Sequence, residues 1–166
     1  CVYAVTRRVA DRNRLAFASR TPGRTQQIVM FGLPSGAIVA DLPGYGYAAV
    51  PKAVKRVWQD VLATYVATRS TLVALVLVVD ARHGLKPLDL SMLDGFLPSG
   101  RPVMVLATKS DKLTRTESAR ASAAIRGQLA ERYREQAAYV TVVPFSATAR
   151  TGLMEADAIL AGWLAA

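Results

Sequence analysis

Residues 72–79 form an unbroken apolar run, rich in β-branched side chains, that stops abruptly at Asp80. Eight apolar residues are far fewer than the roughly 20 needed to span a bilayer as a helix. A run of this length and composition instead reads as a strand buried on both faces, which is the habit of parallel sheets covered by helices on each side. Parallel strands cannot be joined by tight hairpins. The segments between such runs must therefore carry crossover helices.

The remaining sequence meets that demand. Residues 102–107 and 139–145 read as two more buried strands, the first ending at Thr108-Lys109-Ser110-Asp111 and the second at Ser146-Ala147. Between and after them lie helical spacings: residues 87–97 with Leu88, Met92, Leu93 and Phe96 on one side, residues 116–136 with Ile125, Leu129 and Tyr133 four apart, and residues 152–164 with Leu153, Ala156, Ile159, Leu160 and Trp163 inward. Upstream, Gln27-Ile28-Val29-Met30-Phe31 and Ala37-Ile38-Val39-Ala40 flank the turn Leu33-Pro34-Ser35-Gly36 and predict a β-hairpin ending at Asp41. Pro51 opens a further amphipathic helix through Val54, Val57, Trp58, Val61, Leu62, Tyr65 and Val66. Residues 18–25 read as a loop and residues 5–13 as a helix with a broken apolar stripe. The expected fold is α/β: one domain over residues 1–166, a three-layer, mostly parallel sheet flanked by helices.

Composition excludes several classes. The 52% hydrophobic content argues against disorder, and the single cysteine, Cys1, excludes an internal disulfide or a cysteine-based zinc site. With no membrane span and no export signal read in the sequence, a cytoplasmic protein without a membrane partner is expected. The net charge of +9 is concentrated at the start, where residues 1–25 hold six arginines, among them Arg7, Arg8, Arg12 and Arg14, against one acid, Asp11. Such an arm attracts a polyanion such as RNA, and the alternative is a merely solvated basic terminus.

Three strand ends carry polar motifs: Asp41-Leu42-Pro43-Gly44, Thr108-Lys109-Ser110-Asp111 and Phe145-Ser146-Ala147. Like ends of parallel strands lie on one sheet edge, so the three are expected to converge on one crevice. Asp41 there faces a ligand, and Gly44 lets backbone N–H groups approach a phosphate. Asp111 offers two acceptor oxygens, which match the ring N–H and amino group of guanine; adenine lacks that donor pair. The Lys109 stem can lie over a base, Thr108 can tie the loop down, and the Ser146 and Ala147 amides can donate to guanine O6. The order of these motifs along the chain points to a guanine nucleotide. His83, the only histidine, is read as a loop or packing residue rather than a general base, since phosphoryl transfer relies on positioning and charge. Trp58 and Trp163 are read as core, while Tyr45 and Tyr47 suit either a partner surface or packing.

From about Arg12 to the C-terminus the chain resembles the EngB (YihA/YsxC-type) bacterial GTP-binding proteins, a branch of the TRAFAC-class P-loop GTPases. The resemblance rests on residues 21–26 and 41–48, on Asp80-Ala81-Arg82-His83, and on Thr108-Lys109-Ser110-Asp111. It implies a GTPase that binds GTP and GDP, acts late in assembly of the large ribosomal subunit on ribosomal RNA, and is needed for cell division and septation. It also implies a nucleotide site comprising Gly23, Arg24, Thr25, Gln26, Asp41, Leu42, Pro43, Gly44, Thr108, Lys109, Ser110, Asp111, Phe145, Ser146 and Ala147. Mg²⁺ would be the cofactor, ligated directly by Thr25 and through water by Asp41.

Two departures accompany the resemblance. Tyr45 follows Gly44 where many GTPases place a water-orienting glutamine, so hydrolysis is expected to be slow or to need another group. The phosphate-binding pattern Gly-x-x-x-x-Gly-Lys-Ser/Thr is absent, since the first glycine is Gly23 and the first lysine Lys52. The 166 residues are therefore expected to be either a fragment of a GTPase or a chain that has given up nucleotide binding, with at best about millimolar affinity for GDP or GTP. A monomer is expected, and self-association if a central strand is missing. The competing function is a nucleotide-independent RNA- or ribosome-binding module that keeps the fold and the basic arm.

Overall fold

The computed structural model describes residues 29–33, 38–42, 64 and 72–165. In chain order these form β1 (Val29–Gly32), β2 (Ile38–Asp41), β3 (Leu75–Asp80), α1 (Pro87–Phe96), β4 (Val103–Thr108), α2 (Arg115–Tyr133), β5 (Val140–Pro144) and α3 (Leu153–Ala165). The expected helices at residues 5–13 and 51–66, with Trp58, Tyr45 and Tyr47, lie outside the described residues, except for Thr64, which is helical.

β4 is the centre of the parallel sheet. It pairs with β3 from Leu75↔Val103 to Asp80↔Thr108 and with β5 from Val103↔Val140 to Ala107↔Pro144, both in parallel. Every residue of β4 is buried, as a strand with neighbours on both edges and helices on both faces must be. Alternation along the strands separates two apolar layers. On one face Leu77, Val79, Val105 and Val142 meet Leu93 and Phe96 of α1 and Ile125, Leu129 and Tyr133 of α2. On the other, Met104, Leu106, Val143 and Phe145 meet Leu153, Ala156 and Leu160 of α3, with Trp163 packed at the margin. The three-layer α/β architecture is thus present.

Helix boundaries follow local chemistry. Pro87 occupies the first turn of α1, where its missing N–H costs nothing, and the buried Asp89 accepts from the Lys86 N–H at 2.7 Å. α2 starts on a reciprocal cap: the Glu117 carboxylate accepts from Thr114 N–H at 2.8 Å, and Thr114 Oγ1 accepts from Glu117 N–H at 3.3 Å. That cap moves the start ahead of the expected residue 116, although Thr114-x-x-Glu117 was legible. The stripe Ile125, Leu129 and Tyr133 is buried as its spacing predicts.

Three expectations are corrected. β3 begins at Leu75 rather than at residue 72, and it is not buried on both faces: Val78 is 37% exposed, because the apolar layer under α3 centres on β4 and β5. Tyr139 belongs to the 3-10 turn Gln136–Tyr139 before β5 rather than to the strand. The hairpin is confirmed as antiparallel, Val29↔Asp41 to Gly32↔Ile38, and among the described residues its two strands pair only with each other. Among the described residues no helix is long and apolar enough to cross a membrane.

The exit from β5 depends on Gly152. Its φ of +70° lies in the left-handed region, and a Cβ there would collide with the carbonyl oxygen of Pro144. Its neighbour Thr151 accepts the Ser146 N–H at 3.1 Å, which closes the loop ahead of α3. Gly152→Ala is expected to destabilise the fold by about 2 kcal/mol or more, combining backbone strain with the clash. Urea denaturation checks this; a loss below about 0.5 kcal/mol would show that the loop relaxes freely.

Candidate functional site

The loops after β3, β4 and β5 leave the sheet in the same direction and are sewn together by the backbone. Ala81 N–H donates to Thr108 O at 2.9 Å, Phe145 N–H to Ala107 O at 2.8 Å, and Ser110 N–H to Phe145 O at 3.2 Å. Thr108 Oγ1 donates to Val79 O at 2.7 Å within the buried sheet edge. Each such bond contributes about 1 kcal/mol net, and their shared effect is to fix the spacing of three loops.

Ser146 and Asp111 meet across this edge. The Ser146 hydroxyl, only 1% exposed as a residue, donates to Asp111 Oδ1 at 2.7 Å and accepts from Ala149 N–H at 3.0 Å. That bond, with Lys112 Nζ 3.5 Å from Oδ2, holds the Asp111 carboxyl below the usual carboxylate range. Asp111 therefore stands ionised as an acceptor-only group with a fixed orientation, suited to a partner that presents two adjacent donors. The amide of Ser146 is spent on Thr151 O, which corrects the expectation that Ser146 and Ala147 both present N–H groups; Ala147, exposed beside it, is the one that can donate to a ligand oxygen. Ser110 contributes its backbone only: its hydroxyl is buried and has no partner.

Asp80, for which the sequence alone suggests no role, is part of the same edge. Arg82 reaches it with Nε at 3.0 Å on Oδ1 and Nη2 at 2.7 Å on Oδ2, and Lys109 Nζ lies 3.0 Å from Oδ2. The Arg82 fork, then Lys109, holds the Asp80 carboxyl far below its ordinary range. His83, exposed in the turn after β3, donates its backbone N–H to Asp80 O at 3.0 Å, in keeping with a loop role.

The third expected strand end, Asp41, closes β2, which pairs with β1 as an antiparallel hairpin, while at the parallel edge Asp80 closes β3 in register with Thr108. Leu42 packs against the apolar layer of α1 and α2. Burial pushes the Asp41 carboxyl up, so its ionised form is penalised; a hard divalent cation such as Mg²⁺, which takes oxygen ligands, would relieve that penalty. Gly23, Arg24, Thr25, Gln26, Pro43, Gly44 and the arginines Arg7, Arg8, Arg12 and Arg14 lie outside the described residues. A shallow depression lined by Leu93, Asp94, Leu97, Arg132 and Tyr133 lies on the helical layer instead. There Arg132 and Asp94 pair at 2.8 Å, and burial pushes the Tyr133 phenol up to about 12, so the depression offers no net charge to an anion.

No protein-family model matches the chain. Among curated proteins it is 49% identical over 156 residues to the probable GTP-binding protein EngB of Azoarcus sp. (strain BH72), covering 94% of this chain and 73% of that one. It is 48% identical over 162 residues to the probable GTP-binding protein EngB of Burkholderia multivorans, covering 94% and 74%. Among solved structures, translation elongation factor SelB from Methanococcus maripaludis, in complex with the GTP analogue GPPNHP, superposes with a TM-score of 0.66 at 16% identity, over 98% of this chain and 31% of that one. Era, in complex with MgGDPNP and a segment of 16S ribosomal RNA, gives 0.64 at 19%, over 96% and 51%. At such identities the two structures speak for the fold alone.

Asp80 gives a pH signature. Its folded-state pKa is depressed, so its contribution is complete above the unfolded value, about 4, and is lost as pH falls from there toward the folded value. Asp80→Asn is expected to cost about 1 kcal/mol at pH 7, the exposed cations being screened by solvent, with the gap to wild type shrinking below about pH 4. Urea unfolding at pH 7 and pH 3 measures it. A gap independent of pH would assign the loss to packing instead of charge.

Proposed function

The chain belongs to the EngB family of GTP-binding proteins, and from that premise we propose that its sheet edge reads guanine and that it works as a GTPase on the ribosome. The observation that carries base recognition is the 2.7 Å hydrogen bond from Ser146 to Asp111, which joins the two loops whose sequences suggest it. In this reading the Asp111 oxygens accept from the guanine ring N–H and amino group, Ala147 N–H donates to O6, and the Lys109 stem lies against the ring. Thr108 holds the loop by its bond to Val79 O. Discrimination against adenine then follows from unpaired donors and acceptors, the strongest form of selectivity a polar site can supply.

Gly23, Arg24, Thr25, Gln26, Pro43 and Gly44 serve the phosphates in this proposal, and Thr25 with Asp41 holds Mg²⁺. The ion supplies neutralisation of charge on the phosphate oxygens when bound. Arg7, Arg8, Arg12 and Arg14 bind ribosomal RNA of the large subunit, whose assembly, with cell division, is the process served in the cytoplasm. The net charge of +9 supports an RNA partner. A nucleotide-independent RNA-binding module is the second reading, favoured by the six arginines against one acid in residues 1–25.

Asp111→Asn decides between them. Replacing one acceptor by a donor should move preference from GTP toward XTP by at least about tenfold, measured by NMR titration beside the wild type. Unchanged preference for GTP, or shifts that are equal for GTP and ATP, would reject guanine recognition by Asp111. For the RNA arm, changing Arg7, Arg8, Arg12 and Arg14 to Ser should flatten the log–log salt dependence of binding to large-subunit RNA by up to about four units. An unaltered slope would leave the arm merely solvated.

A further inference from the structure

Asp80 touches neither of the loops by chance. It closes β3 in register with Thr108, and its carboxylate is the less exposed member of the cluster: 17% exposed, against 41% for Arg82 and 55% for Lys109. Arg82 grips both oxygens through Nε and Nη2, and its backbone N–H adds a third donor at 3.1 Å on Oδ1. The acid is thus fixed before Lys109 docks on it, so the lysine alone bears the ordering cost. That cost is real for a flexible four-carbon stem, whose rotamer entropy is about 2 kcal/mol.

Lys109 also carries an unusual backbone, with φ 60° and ψ 30°, in the left-handed region that non-glycine residues occupy only when their surroundings over-determine it. This turn leads into the 3-10 segment Ser110–Lys112 and sets Asp111 opposite Ser146. Lys109 therefore has two carboxylates within its loop cluster, Asp80 and Asp111, and its ammonium sits on the first at 3.0 Å. An ammonium drawn to Asp111 instead would occupy the oxygens that must accept from a base.

We propose that Asp80, clamped by Arg82, is a positioning residue for base recognition: it anchors the Lys109 ammonium so that the stem forms a floor for guanine and the charge stays off Asp111. This rests on the guanine reading above. Asp80 does not itself contact the nucleotide; it acts through Lys109.

The 166-residue chain is tested as Asp80→Asn, which keeps shape and an oxygen acceptor for the Arg82 N–H but removes the charge. Without nucleotide, the 13C order parameter of Lys109 Cε should fall to that of a freely solvated lysine side chain. With GDP as probe, the dissociation constant should rise about fivefold, and that for ADP should not change. In a Lys109→Met background the same substitution should change GDP affinity less than about twofold, because the anchored charge is already gone. Arg82→Gln, which leaves the carboxylate but removes its clamp, should loosen Lys109 part of the way. Unchanged Lys109 relaxation in Asp80→Asn, or an equal fivefold loss in the Lys109→Met background, overturns the inference. A wild-type chain with no preference for GDP over ADP overturns the base-reading function and the guanine role of Asp80 with it.

Discussion

Burial of β4 between two parallel neighbours is the constraint on which the rest depends. A strand with six buried residues and hydrogen bonds on both edges has no freedom of register, since a slip of one residue would exchange its two apolar faces. Because all three strands run the same way, their ends emerge together. Asp80, Thr108 and Phe145 are brought side by side by pairing alone, before any of their side chains interact.

Side-chain chemistry then divides the edge into two charge centres. Asp80 is saturated by Arg82 and Lys109, whereas Asp111 is oriented by a neutral hydroxyl and touched only at 3.5 Å by Lys112. The first centre is closed and the second open. Both carboxyl groups are held ionised, but by different partners first: the Asp80 carboxylate by the Arg82 fork and then Lys109, the Asp111 carboxylate by the Ser146 hydroxyl and then Lys112. An anchored and an available acid on neighbouring loops of one sheet edge is an arrangement suited to reading a ligand with donors on one side and a flat ring on the other.

Kinship and geometry bear on different parts of the protein. Identity near one half to EngB proteins places the chain in a family of GTP-binding proteins. The likeness to SelB and Era, at less than one fifth identity, attests the layering of sheet and helices and the direction of the strands. What the described residues add is the local wiring of one edge, where a buried serine hydroxyl and a left-handed lysine shape the loops.

By itself the sequence determined the strands and helices of residues 72–165, because apolar runs of strand length and apolar residues four apart leave little choice of period. It also determined the motif ends, since Thr108, Lys109, Asp111 and Ser146 announce their chemistry by type and order. Only the tertiary structure decided that Asp80 stands beside Thr108 and takes Arg82 and Lys109, that Val78 is left partly open, and that the Ser146 amide is spent on Thr151. The physical reason is one of range. Periodicity and capping act over a few residues, but the partner of a carboxylate 29 or 35 residues away is chosen by strand register and by which cation or hydroxyl the folded backbone leaves within 3 Å of it.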